Sequence, residues 1–187
     1  MSKVKTAIVI VIAIALIGGY YFYLSNKNQK EDELTVTAVQ NVIMRDLETN
    51  YPPTPKEVVK YYSELAKCLY NEQYTDEQLT QMADKLLDIY DDELAQNNPR
   101  EQYIKDLEKE VEGFKSEGNS IVSYTPSSST DVEKYVHEGR ECAALYCIYT
   151  IKNGTRTTSS QQEFILRQDT QTGHWKILGF SVTNPAK

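Results

Sequence analysis

Fourteen tyrosines, two histidines and three cysteines are the side chains of this sequence best suited to proton transfer, metal binding or thiol chemistry. Acid–base catalysis needs such a group in a cleft, with its pKa matched to the task. Tyr62 and Tyr90 fall on apolar stripes of predicted helices, so the pattern alone buries them as core. Asp88 opens an acidic run with Asp91, Asp92 and Glu93 and reads as a solvated helix face. His137, beside Glu138 and Gly139, reads as an exposed loop residue, and His174 as a surface residue. Two distant histidines without a thiol or carboxylate cluster lack zinc-ligand spacing. Calcium loops, phosphate-cradling glycine loops and a Gly-x-Ser-x-Gly elbow are absent from the sequence. We therefore assign no catalytic residue, no metal and no cofactor. Cys142 and Cys147 lie on one predicted strand, face opposite sides and stand about 16 Å apart, too far for a disulfide. Cys68 could reach one of them, but buried free thiols are the expected state.

Those residues need elements to position them. Thr54, Pro55 and Glu57 make an N-cap, N1 and N3 set, which starts a helix running to about Glu72. Val58, Tyr62, Leu65 and Leu69 form its apolar stripe. Thr75 with Gln78 starts a second helix, expected to run to about Gln96. Asn98, Pro99 and Glu101 start a third, with Gly118 just past its end. Strand patterns follow over 120–125, 132–136, 141–152, 155–168 and 174–183. Asn153-Gly154 reads as a hairpin turn with both residues at positive φ, which also accounts for the glycosylation-like triplet ending at Thr155. Helices first and a meander after is the order of an α+β domain, with three helices packed on an antiparallel sheet.

Ahead of these elements, Ala7 to Leu24 carries no charge. As a helix it spans about 27 Å, the thickness of a bilayer core. No small-residue cleavage site follows it, so it reads as an uncleaved transmembrane helix. We expect 1–6 as a cytoplasmic tail, 7–24 as the anchor, 25–49 as a juxtamembrane linker and 50–187 as an extracytoplasmic domain able to fold alone. The location expected is the cell membrane, single-pass, with the N-terminus inside. Residues 34–47 lean to helix through Val36, Val39, Ile43 and Leu47. The net charge of −7 argues against nucleic-acid binding.

The closing segments Glu163–Gln168 (EFILRQ) and His174–Phe180 (HWKILGF), after the helical part, resemble the nuclear transport factor two-like (cystatin-like) superfamily over residues 54–183. The stretch Asn50–Leu79, NYPPTPKEVVKYYSELAKCLYNEQYTDEQL, resembles an uncharacterised family of bacterial membrane-anchored proteins. The first resemblance implies a curved sheet wrapped on helices as a cone-shaped roll around a cavity, with Tyr62, Tyr90 and Trp175 as the ligand-cavity candidates. Such domains include isomerases and dehydratases as well as partner-binding scaffolds, so fold alone assigns no function.

The expected function is non-catalytic binding of a protein partner or small ligand at the cell envelope. An isomerase- or hydratase-like enzyme using the roll's cavity is the alternative. On the last strand, strict alternation sends Trp175 and Ile177 one way and Leu178, Phe180 and Val182 the other. The second set is the candidate interaction surface, to be covered by residues 34–47, by a second copy or by an envelope protein.

Overall fold

The computed structural model describes residues 37–183. Val36 and the expected anchor at 7–24 lie outside the described residues. Among those described, no helix is long and apolar enough to cross a membrane.

The fold is α+β, with helices on one face of an antiparallel sheet. A short helix α1 (Ala38–Ile43) comes first, capped reciprocally by Thr37 and Gln40. It packs Val39 and Val42 into the core, and Leu47 follows them. Residues 37–49 therefore belong to the folded unit, which starts at Thr37 and not at Asn50. Three buried apolar side chains hold this segment down, where a juxtamembrane linker would leave its surface in water.

Helix α2 (Pro55–Asn71) starts as the cap residues predict, with the Thr54 hydroxyl accepting from the Glu57 N–H at 3.2 Å. Helix α3 starts at Asp76 but ends at Ile89, seven residues short of the expected end at Gln96. Tyr90 is extended and pairs in parallel with Ile177, and the Asp91 N–H donates to the Ile177 carbonyl at 2.8 Å. Sheet bonding outbids helix continuation here because Asp91 also meets Arg167 from the sheet. Asp91 then caps a separate short helix, α4 (Asp92–Gln96). Helix α5 (Arg100–Ser116) has Pro99 at its N-cap and no side-chain cap. Asn98 is drawn away, its amide donating back to the Leu94 carbonyl at 2.8 Å. Gly118 takes the left-handed conformation, φ +76°, expected of the residue past a helix end.

The strands are β1 (Asn119–Pro126), β2 (Glu133–His137), β3 (Arg140–Asn153), β4 (Arg156–Gln168) and β5 (Trp175–Thr183). Their spatial order is β1-β3-β4-β5, and β2 continues the β1 edge by pairing with the first part of β3. The β3–β4 turn is a two-residue loop, as the dipeptide signal implied, but lies one residue later. Asn153 is paired with Arg156, so the loop is Gly154-Thr155, with positive φ at the glycine alone. The freed Asn153 amide ties the strand ends by donating to the Glu117 carbonyl at 2.8 Å.

Two bulges reset the alternation that sequence patterning assumes. Val122 is the extra residue of β1, and Leu178 that of β5. Leu166 pairs with Ile177 and Phe164 with Phe180, so Ile177 and Phe180, three residues apart, share a face. The expected division of β5 into two opposed sets is thereby corrected. Phe180 and Val182 lie on the same side as Trp175 and Ile177, towards the helices, and Leu178 is the residue displaced at the bulge. The core runs along this side of the sheet: Leu145, Phe164, Leu166 and Ile177 meet Val58, Leu65, Met82 and Ile89, all fully buried. Cys68, Cys142 and Cys147 are buried free thiols.

Candidate functional site

A cavity of about 470 Å³ lies between helices α2, α3 and α5 and the helix-facing side of the sheet. Its position follows from the local sequence. Tyr62, Ala66 and Tyr70 recur four residues apart, which puts them on one face of α2. Tyr103, Asp106, Glu110 and Phe114 do the same for α5. The sheet supplies Tyr149, Ser160 and Gln162, small or polar residues where the core proper has Leu145 and Phe164. The bulge at Leu178 turns Phe180 and Val182 into the same space.

The mouth is marked by lining residues that stay in water, among them Asp106, Glu110, Phe180 and Val182. Phe180 is 39% exposed, yet its ring lies 5.4 Å from that of Tyr62, 5.8 Å from Phe164 and 6.2 Å from Tyr90. Tyr70 and Phe114 make a further ring pair at 4.7 Å. Edge and tilted contacts of this kind present both ring faces and ring hydrogens to the space they enclose.

Four of the phenol hydroxyls have partners within the protein. Tyr90 and Tyr103 are bonded hydroxyl to hydroxyl at 3.0 Å. Tyr70 donates to the Glu110 carboxylate. Deeper in, Ser63 donates to the Val59 carbonyl at 2.8 Å, which leaves its oxygen to accept from Tyr149 at 2.7 Å. Burial pushes the Tyr103 hydroxyl up to about 12 and raises those of Tyr62, Tyr90, Tyr70 and Tyr149 further. All five are neutral at physiological pH. The protons of Tyr70 and Tyr149 are committed to protein acceptors. The carboxylates of Asp106 and Glu110 stand at the rim.

Of the three ligand-cavity candidates, the structure brings Tyr62 and Tyr90 together and leaves Trp175 elsewhere. Trp175 is buried beyond the opposite end of the sheet, under the Lys134 ammonium at 5.6 Å, and its carbonyl accepts from Tyr51 at 2.9 Å. His174 is stacked on Tyr51 at 3.9 Å. Asp88 is exposed on α3, and His137 is exposed at the end of β2. Of the interaction-surface candidates, Phe180 and Val182 are cavity rim, and Leu178 is not among the cavity residues. Sequence reasoning missed Tyr103, Glu110 and Tyr149. Tyr103 and Glu110 had a signal, being seven apart on a helix and so on one face.

A family model described as a domain of unknown function, DUF6715, matches residues 1–180. The chain belongs to the DUF6715 family. That agrees with the uncharacterised family expected from Asn50–Leu79. No curated protein matches this DUF6715 chain. Among solved structures, the intermembrane space region of the chloroplast protein ARC6 is similar at 13% identity, over 74% of this chain and 96% of that one, with a TM-score of 0.35.

Proposed function

We propose that this domain is a non-catalytic binding module for a small ligand, which it holds in the tyrosine-lined cavity. The observation that carries the reading is a space of about 470 Å³ walled by aromatic rings and a few polar groups, the usual make-up of a small-molecule site. We read the roll as nuclear transport factor two-like, a likeness supported by helices laid over a bulged antiparallel sheet around a cavity. The isomerase- or hydratase-like alternative is less well supported, because the interior phenols are neutral and two of them have committed protons. A protein partner or second copy is the second reading, favoured by Tyr146 and Ile148, which are 41% and 44% exposed on the sheet face away from the helices.

The test is to fill the space. Ser160 is half-buried on β4 and lines the cavity. Ser160→Trp should weaken binding of the neutral fluorescent probe N-phenyl-1-naphthylamine by about tenfold or more, equivalent to ~1.4 kcal/mol. The full-length chain is measured in nanodiscs with empty discs subtracted. Equal binding by wild type and a folded Ser160→Trp variant would show that the cavity is not a ligand site.

The membrane placement belongs to the same proposal: residues 7–24 anchor the chain in a bacterial cell membrane, with the N-terminus inside and the domain outside. The anchor is supported by the uncharged run; for its orientation, Lys3 and Lys5 before the run are nearly balanced by Lys27 and Lys30 after it. Protease added to intact cells should then remove the domain while a cytoplasmic marker survives. Full protection of the domain, or a mature N-terminus beyond Leu24, would overturn this placement.

A further inference from the structure

We propose that the ligand is an organic cation, with its positive head at the cavity mouth among aromatic rings and an apolar body inside. This rests on the ligand-binding reading and names the chemical class. Three observations point the same way.

First, none of the residues lining the cavity is Lys, Arg or His, while two, Asp106 and Glu110, are carboxylates at the mouth. An anion entering here would meet like charge and no cationic partner. Second, the two carboxylates differ. Asp106 is engaged by the Gln102 amide at 2.8 Å and has the Lys109 ammonium at 3.9 Å. Glu110 has no basic partner among the described residues and is held only by the Tyr70 hydroxyl. That single bond aims a full negative charge along the mouth. The charge is felt inside: after burial and the neighbouring phenols, Glu110 adds to the upward push on the Tyr62 and Tyr90 hydroxyls. Third, the Phe180 ring at the mouth is backed by the rings of Tyr62 at 5.4 Å and Tyr90 at 6.2 Å, with Tyr103 packed edge-on to Tyr90 at 5.9 Å. Ring faces attract cations through their quadrupoles, and aromatic enclosures are the usual way proteins hold quaternary ammonium groups, which accept no hydrogen bond and donate none. The chain's net charge of −7 favours the encounter as well.

The experiment compares three probes of similar shape as competitors of cavity-bound N-phenyl-1-naphthylamine on the full-length chain in nanodiscs. They are benzyltrimethylammonium, its neutral carbon isostere neopentylbenzene, and the anion phenylmethanesulfonate. The cation should bind about tenfold tighter than the neutral isostere, within the range of a partly desolvated cation–π and carboxylate contact. The anion should bind weakest. Glu110→Gln keeps an acceptor for Tyr70 and should abolish most of the cation's advantage while leaving the neutral probe unchanged. Glu110→Lys should reverse the order of cation and anion. Equal or tighter binding of the neutral isostere, or an indifferent Glu110→Gln, would overturn the cationic class while the ligand-binding reading stands. Loss of all three probes together with the naphthylamine would instead overturn the ligand-binding reading. Competition by dihexanoylphosphatidylcholine would support a lipid headgroup as the source of the cation, and its failure to compete a free solute; either result supports the cationic class.

Discussion

A chain that begins at Thr37 should unfold cooperatively, whereas one that begins at Asn50 should not. The segment between them buries Val39, Val42 and Leu47, which are 3%, 4% and 8% exposed in the folded unit. Each such side chain contributes about 1.5–3 kcal/mol through burial. The sum, roughly 4.5–9 kcal/mol, is comparable to the whole stability of a domain this size. One buried hydrogen bond is lost with it, donated by the Tyr61 hydroxyl to the Val42 carbonyl at 2.8 Å. Urea unfolding followed by far-UV circular dichroism separates the two outcomes. Matching midpoints and slopes for both chains would show that α1 is an ornament on a domain complete without it.

The second large effect concerns the ion pair at the end of α3. Asp91 is 4% exposed and Arg167 meets it with two nitrogens, one of them at 3.0 Å from Oδ2, while also reaching Glu93 at 3.2 Å. Removing the cation leaves a carboxylate that cannot return to water. Arg167→Met should therefore cost about 3–5 kcal/mol in urea unfolding. Replacing both partners, as Asp91→Asn with Arg167→Met, should cost less than Arg167→Met alone, because no unpaired charge remains. The pH dependence supplies a signature that mere loss of packing would not. Burial pushes the Asp91 carboxyl up, but the hydrogen bonds from Arg167 and from the Glu93 N–H outweigh it and hold the carboxyl below its usual range. A depressed folded pKa stabilises the fold above the unfolded value, about 3.9, and that stability is lost as pH falls through the folded value. In Arg167→Met burial, the largest single influence, is opposed only by the Glu93 N–H and the more distant Arg140 charge, so the sign should reverse and acidification from pH 7 towards 5 should narrow the variant's deficit. A deficit that is constant over that range would show that Asp91 is not the group left stranded.

Much of the architecture was legible because its signals are local. Thr54-Pro55, Thr75 with Gln78, and Gly118 mark helix ends through bonds made within a turn of the chain. The strands were legible from β-branched and aromatic runs between turn residues. What was not legible depends on partners far along the chain. The break at Tyr90 requires Ile177 as backbone partner and Arg167 as counter-ion, so no reading of residues 76–96 alone finds it. The first helix was legible from its spacing within 34–47, and the structure has it at Ala38–Ile43; its place in the folded unit was not, because its apolar residues match an anchor-side linker until the core they fill is known. In the site, Tyr62 and Tyr90 were found because burial and cavity lining demand the same apolar stripe. Trp175 was placed wrongly because the pattern says that a side chain is buried, not at which end of a sheet it is buried.

The extra residue at Leu178 makes β5 a strand that has room for a change of length. Along most of a hairpin, a change of one residue is absorbed in the loop, and the five-residue turn Asp169–Gly173 is well suited to absorb it. Inside β5 the bulge can do the same. Removing Leu178 would leave Gly179 opposite Ile165 and Phe180 opposite Phe164, so Phe180 and Val182 would keep their face. What would send them outward is regular pairing through Leu178, with the residue kept and the bulge lost. A gain or loss of one residue at 178 can thus pass between descendants of this chain without moving the lip of the cavity.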